Sequence, residues 1–417
     1  MSDNHELKSA APLWSRDFTI ITVGSIISML GSTISGFALG LMVLDYTGST
    51  FYYALFVFLF TLPSIVMPLI AGPYLDKYSR KRTIYTLDFI SSAIYLFFAS
   101  SLIFGFFNFP LLAAGTFIIG AINSVYRVAY TSFYPLLIPE GNYQKAYSIA
   151  SILEVMTAFA VPLSKLLYDK IGLAPLLIAN AVTYFLAACM ETQIKHVETY
   201  NEERKDETYG IKKYLSDFKE GLHYLIEEKG LLAITTHFTV ISVLGGVGSV
   251  LLLPYFKNTF ENGEYLYMII GGASMVGRLL GGSLYYKFKL PASRKFTIAL
   301  IAYVISAMGE GIILFLPFKV MAIVYFISGL LSVTSYNIRI ASTQGYVPDM
   351  KKGRFNGTFE MLNTSGALIG EIIAGALSIF TGERILMLIF GILTAASAII
   401  VIGGSKRHVS KIYNRTA

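Results

Sequence analysis

From Phe51 to Leu75 the chain runs for 25 residues without a charged side chain. A helix of that length rises roughly 37 Å, enough to cross the ~30 Å hydrocarbon core of a bilayer. Segments of the same character recur. The sequence predicts twelve spans, at 18–44, 51–75, 84–107, 110–137, 146–168, 173–190, 231–256, 265–286, 296–316, 320–347, 357–381 and 385–403. In lipid every backbone N–H and C=O must be satisfied within its own segment, so a chain of this kind folds as an all-α integral membrane protein. Across 417 residues, 54% are apolar and 14% charged, with a mean hydropathy of +0.61. So little charge excludes an ordinary soluble globular domain.

The net charge of +7 would suggest nucleic acid in a soluble protein. Here the cations sort by position along the spans. With the N-terminus on the cytoplasmic side, 25 of the 33 Lys and Arg residues fall in inside segments. Lys170, Lys257, Lys319 and Arg384 fall outside, and Arg127, Lys165, Arg278 and Arg339 lie within spans. That asymmetry places both termini in the cytoplasm. Met1 to Arg16 is polar and lacks the apolar stretch of a secretory signal. The single cysteine, Cys189, allows no intrachain disulfide and no thiol metal site. No Gly-rich phosphate loop, zinc-spaced His/Cys set or serine nucleophile elbow is present. The sequence therefore implies neither an enzyme nor a cofactor.

Between the second and third spans lies Gly72-Pro73-Tyr74-Leu75-Asp76-Lys77-Tyr78-Ser79-Arg80-Lys81-Arg82. Gly72 allows close backbone approach, Asp76 suits the N-terminus of the next helix, and the cations hold the loop at the inner surface. This spacing resembles the loop between helices 2 and 3 of the major facilitator superfamily, roughly G-x-x-x-D-R-x-G-R-K/R, with departures at Lys77 and Ser79. Asp45-Tyr-Thr-Gly-Ser, Pro63, Asp88, Ile138-Pro-Glu and Ala146 add a resemblance to the branch of macrolide-efflux and enterobactin-type exporters. The resemblance implies two pseudo-symmetric six-helix bundles and alternating access. It also implies a conformational latch at Gly72, Asp76, Lys77, Arg80, Lys81, Arg82 and Asp88.

The halves echo each other. Gly72 and Lys77 match Gly282 and Lys287, Pro139-Glu140 matches Pro348-Asp349, and Glu154 and Lys165 match Glu360 and Glu371. Such a parallel repeat predicts a six-helix bundle over 17–190, another over 231–403, and a central cavity. A cytoplasmic N-terminus (1–16), a linker (191–230) with an amphipathic helix and a cytoplasmic tail (404–417) complete the expected organisation. The antiporter motif of the fifth helix keeps only Pro162, in Thr157-Ala-Phe-Ala-Val161-Pro162-Leu-Ser-Lys165-Leu166. The first span holds no acid.

Ionisable residues inside a membrane are costly and mark function. Arg127 and Glu154 fall at matched depth, roughly 12 Å from the inner ends of their helices, and are expected to pair, either for function or as a static brace. Lys165 either functions or snorkels to the outer face. Glu310 and Glu371 either carry the proton or sit neutral against a neighbouring helix. Arg278 and Arg339 line the cytoplasmic half of the cavity or brace it, Glu360 is a further intramembrane charge and coupling candidate, and His237 reads as a packed polar residue.

The expected function is a secondary active transporter of an amphipathic small molecule, a drug or siderophore-like metabolite. It is expected to work as a monomeric, proton-coupled exporter in a bacterial cell membrane, with no nucleic-acid partner. A lipid or nutrient transporter and a non-transporting sensor are the alternatives.

Overall fold

The structure, a computed structural model, describes residues 13–139, 142, 146, 149, 160–197, 211–287 and 290–415. Among these the secondary structure is wholly helical. The helices are α1 (Arg16–Thr47), α2 (Thr50–Thr61), α3 (Pro63–Lys77), α4 (Arg80–Ile103), α5 (Phe109–Phe133), α6 (160–171), α7 (Leu173–Glu191) and α8 (Ile211–Glu227). They continue as α9 (Lys229–Thr259), α10 (Gly263–Lys287), α11 (Lys295–Ile312), α12 (Phe318–Tyr346), α13 (Asp349–Thr381), α14 (Glu383–Ser397) and α15 (Lys406–Tyr413).

Ten described helical segments are long and apolar enough to cross a membrane. They account for the expected spans except the fifth and the eighth. The fifth begins outside the described residues, and α6 is its described part. The eighth, α10, is 25 residues long but carries Glu264, Arg278 and Lys287 and is less apolar. The expected second span is interrupted. Pro63 has no N–H to give the ladder, so α2 ends at Thr61 and α3 starts at Pro63.

The chain divides into two compact units. The first holds Met1–Met42 and Val66–Gly210; the second holds Val43–Ile65 and Ile211–Ala417. In the first, α4 packs along α7 and against α5. Phe18, Ile21, Leu75, Ile84, Phe133 and Leu137 close its core at the end that carries Arg80. In the second, α13 packs on α9 and α2, α10 on α12, and α11 on α14. Gly172, before α7, and Gly382, before α14, both adopt left-handed φ of 78° and 74°. They are separated by the same 210 residues as Gly72 and Gly282, so the repeat extends to the backbone at the start of each bundle's last helix.

Packing without a hydrophobic driving force relies on close backbone approach. The α9–α13 seam shows how: a Cβ at Gly366 would lie 2.6 Å from the Thr239 carbonyl oxygen. Large side chains face outward instead. Ile385, Ile389, Ile392, Leu393, Ile399 and Ile400 are exposed along α14 and its π-helical continuation Ala398–Gly403, as a lipid-facing surface requires.

Two polar-rich helices dock on the second unit rather than hanging free. In α8, Leu225 is buried and Glu220 pairs with Arg354 at 2.8 Å. In α15, Val409, Ile412 and Tyr413 enter the same core as Leu231, Phe296 and Phe355. The Tyr413 and Tyr303 hydroxyls lie 2.9 Å apart. Burial pushes the Tyr413 phenol above its ordinary range.

Gly366→Val should force α9 and α13 apart, at a cost of about 1–3 kcal/mol. Gly245→Ala, whose Cβ would meet nothing within 4 Å, should be neutral. Thermal unfolding of the two variants in detergent checks the difference; equal midpoints would contradict the seam.

Candidate functional site

Small residues bring α1 against its neighbours. Gly24, Ser28 and Ser32 recur every four residues, so one strip of α1 offers little bulk and several hydroxyls. At Gly24 a Cβ would lie 3.2 Å from Glu191 Oε1 of α7. Ser32 Oγ and the Tyr184 hydroxyl of α7 share a hydrogen bond. From α6, Ser164 Oγ donates to the Ile34 carbonyl at 2.6 Å. The antiporter-motif helix thus keeps a close contact with α1 through a serine two residues after Pro162, which is itself exposed.

Inside the first unit, α1, α4, α5 and α7 line a cavity of about 370 Å³. Ser25, Ser28, Met29, Ser32 and Thr33 come from α1, and Asp88 and Ser91 from α4. Ile122, Asn123, Tyr126, Arg127 and Tyr130 come from α5, and Tyr184 from α7. Its aromatic wall is ordered. Tyr126 stacks on Tyr130 with ring centroids 6.0 Å apart, and Tyr184 stacks on Tyr95 at 5.7 Å. Among the described residues the cavity combines flat aromatic faces, a row of hydroxyls, one cation and one acid. A drug-sized pocket of mostly apolar walls with a few polar groups is what a small-molecule site requires.

The expected site residues separate into several places. Arg127 and Asp88 line the same cavity. Glu154, the expected partner of Arg127, lies outside the described residues. Asp88 is buried inside α4 rather than grouped with the basic loop. In that loop, Arg80 Nη1 donates to the Ser132 carbonyl at the end of α5 at 3.0 Å. Lys81 Nζ donates to the Ile194 carbonyl. The Arg82 backbone N–H bonds the Ser79 side chain, which caps α4. Gly72, Asp76 and Lys77 belong to α3, and their side chains are not described. Lys165 pairs with Asp169 at 2.6 Å on the same helix face.

In the second unit, Arg339 is 8% exposed and its guanidinium is ringed by Phe359, Tyr336 and Phe238, with centroids 4.5, 4.9 and 5.2 Å away. Glu371 is 5% exposed beside Thr61 and Tyr53. Glu310 lies close enough to Arg278 for charge attraction. Glu360 is exposed. His237 is fully buried, with Nδ1 3.1 Å from Ser397 Oγ and its ring edge-on to Tyr303. No cluster of three or more His, Cys, Asp or Glu able to hold a metal exists among the described residues.

Sequence reasoning missed Glu191, which reads there as the first residue of the polar linker. It is instead the last residue of α7 and is fully buried. The small-residue strip on α1 was the signal that could have placed a neighbour's side chain there.

Comparison with known proteins gives three findings. The profile described as Major Facilitator Superfamily matches residues 21–309. A Bacillus subtilis (strain 168) protein described as an uncharacterized MFS-type transporter, YkuC, is 23% identical over 288 residues. That alignment spans 66% of this chain and 66% of the relative, just under two thirds of its length. Crystal structures of the nucleoside transporter NupG and of a point mutant of it share the fold. Their TM-scores are 0.64 and 0.62 at 12% and 13% identity. They cover 93% and 94% of this chain and 98% and 99% of theirs.

The aromatic ring around Arg339 depends on a flat guanidinium, which a lysine ammonium cannot replace. Arg339→Lys should therefore destabilise the second unit by about 0.5–2 kcal/mol. A midpoint unchanged from wild type in thermal unfolding would mean the rings stabilise nothing.

Proposed function

Because the chain belongs to the Major Facilitator Superfamily, we propose that it is a secondary active transporter exporting an amphipathic small molecule in exchange for protons. The cargo is a drug or siderophore-like metabolite with an apolar ring system and a hydrogen-bond donor. The setting is a bacterial cell membrane, with both termini cytoplasmic. The observation that carries the reading is the cavity of the first unit. Its volume of about 370 Å³ suits a drug-sized molecule, and Tyr126, Tyr130, Tyr184, Met29 and Ile122 give broad apolar faces. The serine and threonine hydroxyls and Asp88 offer acceptors for the polar end. Export rests on the resemblance of the Asp45, Gly72–Arg82 and Ile138 stretches to the macrolide-efflux and enterobactin-type branch. Buried acids in both units support proton coupling.

A compound panel in proteoliposomes with an acidic lumen tests the reading. It should hold cationic, neutral and anionic amphiphiles, with a nucleoside as the cargo named for the structural neighbour. Proton exit should drive amphiphiles inward against their gradient. Uptake of the nucleoside alone, indifferent to the pH gradient, would overturn the proposal.

Two substitutions sharpen it. Tyr130→Ala removes one of the stacked rings and should lower kcat/KM for aromatic cargo by roughly 3- to 10-fold, since such contacts contribute about 0.5–1.5 kcal/mol. Asp76→Asn should slow transport while leaving folded protein in the membrane. Wild-type turnover in that variant would reduce the basic loop to a topology signal.

A further inference from the structure

Two buried acids stand next to the cavity and the transport reading leaves their joint role unassigned. Asp88 of α4 is 1% exposed, and Glu191 at the end of α7 is 0% exposed. Their carboxyls lie within hydrogen-bonding reach of each other. Ser28 Oγ of α1 donates to Asp88 Oδ2 at 3.4 Å. Asp88 Oδ1 and both Glu191 oxygens make no well-formed hydrogen bond among the described residues. Two ionised carboxylates are acceptors only, so neither can satisfy the other until one carries a hydrogen.

The groups that face the pair make it an acid couple rather than an ion pair. Ser28 faces it from α1, and Tyr126 and Tyr130 from α5. Tyr184 faces it from α7. Arg127 is the one cation on the described wall of the cavity that Asp88 lines. Among the described residues neither acid forms an ion pair. Two negative charges this close in a medium of low dielectric repel strongly, and one shared proton removes the repulsion while supplying the missing donor.

We propose that Asp88 and Glu191 together form a proton-binding site that is emptied by cargo entering the adjoining cavity. The inference rests on the proton-coupled reading above and gives it a location. On loading, one O–H bond forms on a carboxyl oxygen, the charge of the pair changes from −2 to −1, and the proton comes from water in the cavity. On unloading, a donor group of the cargo hydrogen-bonds Asp88, the O–H bond breaks and the proton returns to water. Asp88 is the member on the cavity wall; Glu191 lies behind it and holds the proton in common.

The pair also adjoins the basic loop. Three residues after Glu191, the Ile194 carbonyl accepts from Lys81 Nζ. The next two backbone N–H groups, of Lys195 and His196, bond the Asp17 carboxylate at 3.1 and 2.8 Å. A change of charge at Glu191 therefore acts at the root of a segment tied to both α1 and α4.

The test uses the full chain, with infrared difference spectroscopy on purified protein and uptake of ethidium, a cationic amphiphile, into acid-lumen proteoliposomes. In wild type a protonated-carboxyl C=O stretch should be present at neutral pH and should diminish on adding ethidium. Asp88→Asn and Glu191→Gln should each remove that band. Each should also lower gradient-driven uptake by roughly tenfold or more, and Glu191→Gln, at the residue behind the cavity wall, should spare ethidium exchange without a gradient. The exchange readout, together with an unchanged unfolding midpoint, separates loss of coupling from loss of fold. Wild-type uptake indifferent to the pH gradient, with the band still assigned to the pair, would overturn the antiport reading and leave the site standing. Proton-driven uptake and an intact band in both variants would overturn the site itself. So would loss of coupling in Glu371→Gln alone, or a band displaced by sodium ions and not by protons.

Discussion

A hydrocarbon solvent leaves no partner for a bare peptide group or a lone charge, and the whole structure answers that constraint. Backbone groups are satisfied inside helices, so helices are long and their junctions short. Helix contacts cannot rely on expelling water. They use glycine and serine to bring backbones together, as at the α9–α13 seam and at the contact of Ser164 with Ile34. Some charges that remain inside have a specific neighbour: aromatic faces for Arg339 and an acid, Asp169, for Lys165.

This accounting separates the buried polar groups by what they can do. Arg339 is enclosed by three rings, a fixed arrangement largely shut off from solvent. His237 has a serine and a tyrosine ring as partners in a closed pocket. Asp88 differs because it opens onto a cavity with hydroxyls and tyrosines around it. A group in permanent balance stabilises; a group whose balance depends on what enters its cavity can report on cargo.

How much of this was legible in the sequence follows from the range of each effect. Span positions depend on local apolarity, and ten of the twelve reappear as helices apolar enough to cross a membrane. The repeat was readable because it survives as residue identities, and Gly172 and Gly382 extend it to backbone angle. Lateral relations were not readable. Nothing around Glu191 says that it faces Gly24, because that depends on which side of α7 meets α1. The tail from 404 onward reads as polar, yet helical spacing within α15 puts Val409, Ile412 and Tyr413 on one buried face. The break before Pro63 was carried by that one proline and not by apolarity, since an apolar run looks the same whether or not its helix is continuous.

The docking of α15 has a consequence for how the protein is made. Leu225 and Tyr413 share one core, yet about 190 residues of synthesis separate them. Translation at roughly 5–20 residues per second leaves about 10–40 s during which Leu225 and Leu231 have no C-terminal cover. Completion of that core therefore waits until α15 has left the ribosome. Damage that removes a few residues near Tyr413 would act less like loss of a tail than like pulling a wedge from an assembled core.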